Sequence, residues 1–245
     1  MNVSLASIIR KLRQRSRPPE IDYLSQIPTV AVSEIVGKPL IRVPGAYSYV
    51  GGSLPWCDIL ALLSVLVDRS PKTVMEIGTF NGNTTRLIAM NLPEAEIHTI
   101  DLPEDFSENG EGLPKDDWHL ISQRRVGAEY RADPSITSVT QHFGDTALYD
   151  FPEVEFYFID GAHTYEYARN DTEKALRCPT AKTLMWHDSD ELHTGVTSWL
   201  VEMVRSGYPV RQIEGTNLAI LDLRNFVAPS SDRSEAAHTP VVPAS

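Results

Sequence analysis

The stretch VMEIGTFNGNTTRLIAM, residues 74–90, decides how the rest of the chain is read. A short apolar run, Thr73–Ile77, has the length and composition of a buried strand, and an apolar stripe at helical spacing follows over Thr84–Asn91. Between them lie Gly78 and Gly82, which permit a tight turn and close approach of backbone to a ligand. Thr84 or Thr85 is placed to start the helix. A dinucleotide fingerprint would carry glycines at 78, 80 and 83, the middle one admitting a pyrophosphate to the backbone. Phe80 and Asn83 stand there instead. That argues against a pyrophosphate and not against a nucleoside.

Working outward, the same alternation continues. Ile59–Val67 is an apolar helical run; strands are expected at Glu96–Ile100, near Ser138–His142, at 155–159 and at Thr183–Trp186. Helices are expected at Tyr165–Leu176 and Val196–Arg205. Short apolar strands alternating with amphipathic helices indicate an α/β fold, a doubly wound, mostly parallel sheet with helices on both faces. The last two strands, Val210–Glu214 and Leu218–Leu223, are joined by Gly215-Thr216-Asn217. That turn is too short for a crossover and requires an antiparallel hairpin.

Ligands in such sheets bind beyond the carboxyl ends of the strands, where the strand order switches. Glu76, Asp101, Asp145, Asp160 and Asp188 all fall at or just past predicted strand ends. Any one of them alone could be a helix N-cap; five on one rim suggest a site. Asp101 follows the glycine loop at about the distance at which an acid binds ribose hydroxyls. Asp145, one strand later, is placed to face an adenine amino group. The ordered set fits a nucleoside cofactor held without a pyrophosphate.

Glu76-Ile77-Gly78, Gly82, Asp101, Asp145, FIDGAHTYEYARND (residues 158–171) and WHDSD (residues 186–190) together resemble the class I S-adenosylmethionine-dependent methyltransferases. More narrowly they are similar to the small bacterial group near the macrocin-type O-methyltransferases. The resemblance spans roughly residues 45–223. It implies a Rossmann-like, seven-stranded sheet closing in an antiparallel hairpin. It also implies S-adenosylmethionine as cofactor, with Glu76 and the loop residues Gly78, Thr79, Phe80, Gly82 and Asn83 at its methionine part. Asp101 would lie at the ribose, Asp145 with Thr146 at the adenine end, and Asp160 beside the reacting groups.

EFYFIDGAHTYEYARND, residues 155–171, places Asp160 at the mouth of a strand where charge is costly, with His163 three residues on. TLMWHDSD puts His187 and Asp188 at the end of the next strand, expected to lie alongside. Asp160, His187 and Asp188 could then converge on a divalent cation, Mg²⁺ by their oxygens or Mn²⁺ by the imidazole. Related O-methyltransferases hold such an ion with acids at these strand ends; this chain departs from them in having His187, with Ser189 after Asp188. Methyl transfer to a hydroxyl also needs a base, and His163 is the candidate; Asp160 is the other catalytic candidate, positioning the acceptor if it holds no ion. A helix-capping role for His163 is the competing reading. His193, before the next helix, is a weaker base, and His98 is read as structural.

The chain of 245 residues carries a net charge of −11. Residues 1–17 hold five lysines and arginines and no acid, leaving −16 on the remainder, which argues against nucleic acid as a partner. Three segments are expected: 1–44, a basic helix and lead-in suited to a membrane surface or a partner; 45–225, the catalytic domain with a lid-like insertion at 102–134; and 226–245, a disordered Pro- and Ser-rich tail. YSYVGGSLPW, residues 47–56, is a second candidate wall of the site. No apolar run is long enough to span a membrane. Cys57 and Cys178, far apart and read as packed thiols, suit a reducing cytoplasm. The expected activity is O-methylation of a small molecule or sugar hydroxyl, assisted by a divalent metal. The alternatives are a nicotinamide-dependent oxidoreductase and a nucleoside-binding module without catalysis. The acceptor is not encoded in any motif, and assembly of the chain with itself stays open.

Overall fold

A strand buried on both faces must be apolar throughout, and Phe156–Ile159 and Thr183–Trp186 are buried at every residue. They lie at the centre of the sheet in the computed structural model, which describes residues 24–44, 50–106 and 124–226. The expected basic helix of residues 1–17 and the tail beyond Phe226 lie outside the described residues, as does most of the 102–134 insertion.

The strands are β1 (Thr29–Val30), β2 (Thr73–Ile77), β3 (Glu96–Asp101), β4 (Val139–Phe143), β5 (Phe156–Ile159), β6 (Thr183–Trp186), β7 (Arg211–Ile213) and β8 (Ala219–Asp222). They form one sheet in the order β1-β7-β8-β6-β5-β2-β3-β4. All neighbours are parallel except β6–β8 and β7–β8, so the closing hairpin is antiparallel as expected. The seven expected strands are joined by an eighth, β1, parallel to β7 at the edge. Two residues are too few to show a period.

Alternation along the strands sorts side chains to two faces. Val74, Ile97, Phe156, Phe158 and Met185 pack with Leu62, Leu63 and Leu66 of α2 (Trp56–Arg69) and Leu87 and Ile88 of α3 (Asn83–Asn91). Met75, Ile77, Tyr157, Ile159 and Trp186 pack on the other face with Ala168 and Ala175 of α5 (Tyr165–Arg177) and Leu200, Val201 and Met203 of α6 (Thr194–Arg205). Each such side chain contributes about 1.5–3 kcal/mol by leaving water. Two one-turn helices, α1 (Val32–Ile35) and α4 (Ala128–Arg131), and a 3-10 turn at Leu24–Gln26 complete the elements among the described residues. Cys57, expected to be packed, is exposed in the first turn of α2. No helix among the described residues is long and apolar enough to cross a membrane.

The order reverses between β2 and β5, and their ends coincide: Ile77 pairs with Ile159, and Ile159 with Trp186. The chain after β2 therefore runs against the chain after β5. Gly78 has φ +98°, and a Cβ there would lie 1.9 Å from the Asp160 carbonyl oxygen. No side chain fits. Gly78→Ala should destabilise the fold by about 3 kcal/mol or more, lowering the melting temperature by roughly 10 °C. An unchanged melting curve would show that the two strand ends can part without cost.

Candidate functional site

The loop after β2 is fixed from three sides. The Gly78 N–H donates to Ile100 O of β3 at 2.9 Å, and the Phe80 N–H donates to Asp101 Oδ2 at 2.7 Å. Phe80 has φ +48°, a left-handed conformation in which most dinucleotide loops would use glycine. Its carbonyl accepts from Gly127, and that of Asn81 from Glu129. The described end of the 102–134 insertion thus folds onto the glycine loop. Gly82, at φ +84°, begins α3, and a Cβ there would meet Gly127 Cα and Tyr130 Cδ1 at 2.8 Å. The Phe80 ring faces Gly52, so the described part of the segment expected as a second wall borders the loop at this residue.

Glu76, on β2, is wholly buried. Its Oε2 accepts from Thr85 at 2.5 Å and Thr99 at 2.6 Å; Thr79, Gln141 and Tyr130 extend the network. Its Oε1 is buried without a partner among the described residues. Burial pushes the Glu76 carboxyl up to about 8, against the pull of the two threonine hydroxyls. A cationic ligand group at Oε1 would relieve that cost. Asp101, at the end of β3, accepts from Phe80 on one oxygen and from Arg124 at 2.9 Å on the other. Burial raises its carboxyl and Arg124 opposes the rise. The acceptor capacity left on this carboxylate suits a ribose hydroxyl. Asn83 is buried in the first turn of α3. Asp145 lies two residues past β4, where its Oδ1 accepts from the Ala147 N–H; the Thr146 carbonyl accepts from Asn170 and Lys174.

At the ends of β5 and β6 the three expected groups do converge. His187 Nδ1 lies 3.1 Å from Asp160 Oδ1 and 3.1 Å from Asp188 Oδ1. Its Nε2 is 3.0 Å from Asp58 Oδ2. Burial alone would lower the His187 pKa, yet the surrounding aspartates raise it well above the ordinary value. Burial raises Asp160 against the attraction of His187, whereas the two histidines hold Asp188 below the usual carboxylate range despite its burial. Asp188 has φ +55°. Its Oδ2 sits 2.7 Å from His163 Nε2. His163 is not the helix cap: Thr164 caps α5, its side chain accepting from the Tyr167 N–H. His98 is held in the sheet between Glu96 and His142.

Asp160, His187 and Asp188 each offer a ligand atom within 4.8 Å of the others, so the donors fit a divalent cation. Asp58 makes the fit better. A carboxylate on the far nitrogen of a histidine orients the near nitrogen toward a metal and raises its basicity. The sequence reading missed Asp58, a wholly buried acid inside the apolar run of α2; its isolation there was the available signal. It also missed Arg124, which only the folded insertion brings to Asp101.

Residues 75–189 match a family model described as a methyltransferase domain. Among solved structures, the S-adenosylhomocysteine-bound methyltransferase PaMTH1 of Podospora anserina aligns over 91% of this chain and 97% of its own, with TM-score 0.50 and 11% identity. The O-methyltransferase TomG of Streptomyces achromogenes, in complex with S-adenosylmethionine, aligns over 88% and 96%, with TM-score 0.47 and 17% identity. An O-methyltransferase from Bacillus cereus aligns over 88% and 97%, with TM-score 0.46 and 11% identity. At 11% identity the likeness to PaMTH1 is one of fold. No curated protein sequence matches the chain. The expected methyltransferase domain is borne out over residues 75–189, and the expected fold with it.

The raised Glu76 pKa has a measurable sign. Unfolded, this carboxyl loses its proton near 4.5; folded, it keeps the proton to about 8, so raising pH across that window favours unfolding. Glu76→Gln cannot titrate. In denaturant melts of the cofactor-free protein from pH 5 to 8, the wild type should lose stability relative to Glu76→Gln by up to about 1.4 kcal/mol per pH unit. Parallel curves would show that Glu76 is ionised in the fold.

Proposed function

We propose that this protein transfers the methyl group of S-adenosylmethionine to a hydroxyl oxygen of a small molecule or sugar, aided by a divalent cation. One observation carries the reading: carboxylates suited to a nucleoside end the strands on one side of the switch point, and a histidine–carboxylate cluster ends those on the other. When bound, S-adenosylmethionine supplies a sulfonium methyl, an electrophile that needs no further activation. The protein's share is to place the acceptor oxygen in line and remove its proton.

Glu76, by its unpartnered Oε1, would accept from the ammonium of the methionine part, with Gly78, Thr79, Phe80, Gly82 and Asn83 forming the surrounding loop. Asp101 would take the ribose hydroxyls, and Asp145 with Thr146 the adenine edge. Phe80 stands where a dinucleotide loop carries glycine, which favours this cofactor over a nicotinamide dinucleotide. Asp160, His187 and Asp188 would hold Mg²⁺ or Mn²⁺, and an ion there supplies a lowered acceptor pKa. His163 would take the proton. The Asp188 carboxylate 2.7 Å from its Nε2 stabilises the imidazolium that forms, which is what separates this site from a passive nucleoside pocket.

Calorimetry with S-adenosylhomocysteine, S-adenosylmethionine and NAD tests the cofactor. The first two should bind and NAD should not. Asp101→Ala should weaken S-adenosylhomocysteine tenfold or more, since unpaired ribose hydroxyls cost about 1–3 kcal/mol. Equal affinity in a folded Asp101→Ala protein would remove that carboxylate from the site. Millimolar Mg²⁺ or Mn²⁺ should raise the melting temperature of the wild type but not of Asp160→Asn. No rise with either ion in the wild type would exclude metal assistance.

A further inference from the structure

The aspartate at the end of β6 faces two histidines that the metal trio above does not use. His163 Nε2 lies 2.7 Å from Asp188 Oδ2, and His193 Nδ1 lies 3.3 Å from Asp188 Oδ1. The two imidazole rings are 4.6 Å apart, centroid to centroid. One atom from each of His163, Asp188 and His193 falls within 4.8 Å of the others.

This arrangement depends on specific local features. His193 occupies the position before the first turn of α6, and Gly195 lies two residues on. A Cβ on Gly195 would sit 2.3 Å from the His163 carbonyl oxygen and 2.7 Å from the Tyr165 nitrogen. Only glycine lets the start of α6 meet the His163 loop so closely, and that approach brings the rings together. Asp190 accepts from the backbone N–H groups of Leu192 and His193, and its oxygens lie 3.0 and 3.1 Å from His193 Nδ1. Asp188 is held at φ +55°, a conformation that costs an L residue free energy and is kept where surroundings impose it.

We propose that His163, Asp188 and His193 form a second cation site, for a first-row transition metal of the Zn²⁺ class. Two imidazoles and one carboxylate on one side of an ion, with remaining positions open, select Zn²⁺, Co²⁺ or Fe²⁺ over Mg²⁺, which requires oxygen. His163 and His193 are partly exposed, so an ion has access. Asp190 adds a further carboxylate beside it. The site is separate from the trio of Asp160, His187 and Asp188, with which it shares one aspartate. Its occupation would engage the His163 nitrogen that faces Asp188, so excess transition metal would oppose the base role proposed above. The metal site itself does not depend on that role.

Co²⁺ tests it, since ligation by imidazole and carboxylate gives visible d–d absorption. Titrated into the full chain without cofactor, Co²⁺ should bind at micromolar concentration, develop that absorption and be displaced by Zn²⁺. His193→Ala and His163→Gln should each weaken Co²⁺ binding tenfold or more, while Asp160→Asn keeps it. S-adenosylhomocysteine affinity should persist in His193→Ala, showing that the fold is intact; if that variant melts early, His193→Gln carries the comparison. No absorption in the wild type overturns the site, and so does binding that survives both histidine substitutions. Binding lost in Asp160→Asn but kept in His193→Ala would place the ion in the neighbouring trio and likewise overturn it. Failure of S-adenosylhomocysteine to bind the wild type would instead strike the methyl-transfer reading and leave the Co²⁺ result standing.

Discussion

Burying a carboxylate is costly unless something in the fold compensates it, and this architecture gathers several at one edge of the sheet. Each is compensated differently. Glu76 receives two threonine hydroxyls and retains its proton; Asp101 receives a backbone N–H and Arg124; Asp58, Asp160 and Asp188 surround His187. The compensations are incomplete on one side. Glu76 keeps an oxygen without a partner, and Asp101 keeps lone pairs. Residual capacity of this kind, concentrated where strand order reverses, is what a cationic and hydroxyl-bearing ligand would use.

The polar contacts also tie distant segments to one another. Asp101 holds the Phe80 N–H and the Arg124 guanidinium at once, so a single carboxylate joins the glycine loop, β3 and the returning insertion. Gly127 and Glu129 add two backbone hydrogen bonds to the same loop. The last part of the insertion is therefore a clamp on the loop that follows β2. A mutation in residues 124–129 would act on the loop through these bonds.

Much of this was legible beforehand, for identifiable reasons. Strands β2 and β6 were expected at their observed limits because buried parallel strands are continuous apolar runs, and Asp160 and Asp188 follow from where the runs of β5 and β6 stop. Asp160, His187 and Asp188 meet because their strands are neighbours, which alternation implies. Asp58, Arg124 and Gly195 follow no such rule. Asp58 comes from a helix more than a hundred residues earlier in the chain than His187; Arg124 comes from an irregular segment; the reason for Gly195 is a backbone in another loop. Periodicity reports which face a residue takes, and not what the facing element will bring.

The closing hairpin shows how far the site extends beyond the groups that would touch a ligand. The turn between β7 and β8 carries Asn217, whose N–H donates to Asp58 Oδ1 and whose carbonyl accepts from Ser189. Gln212 of β7 donates to the Ser189 carbonyl at 2.7 Å. Ser189 is wholly buried and directly follows Asp188. These bonds fix the residue after a strained one and the carboxylate behind His187 in the same stroke. The left-handed conformation of Asp188 can persist because its neighbours are over-determined in this way. The antiparallel hairpin, which lies between β1 and β6, thus serves the centre of the sheet: its turn holds the residue that follows the aspartate both histidine clusters share.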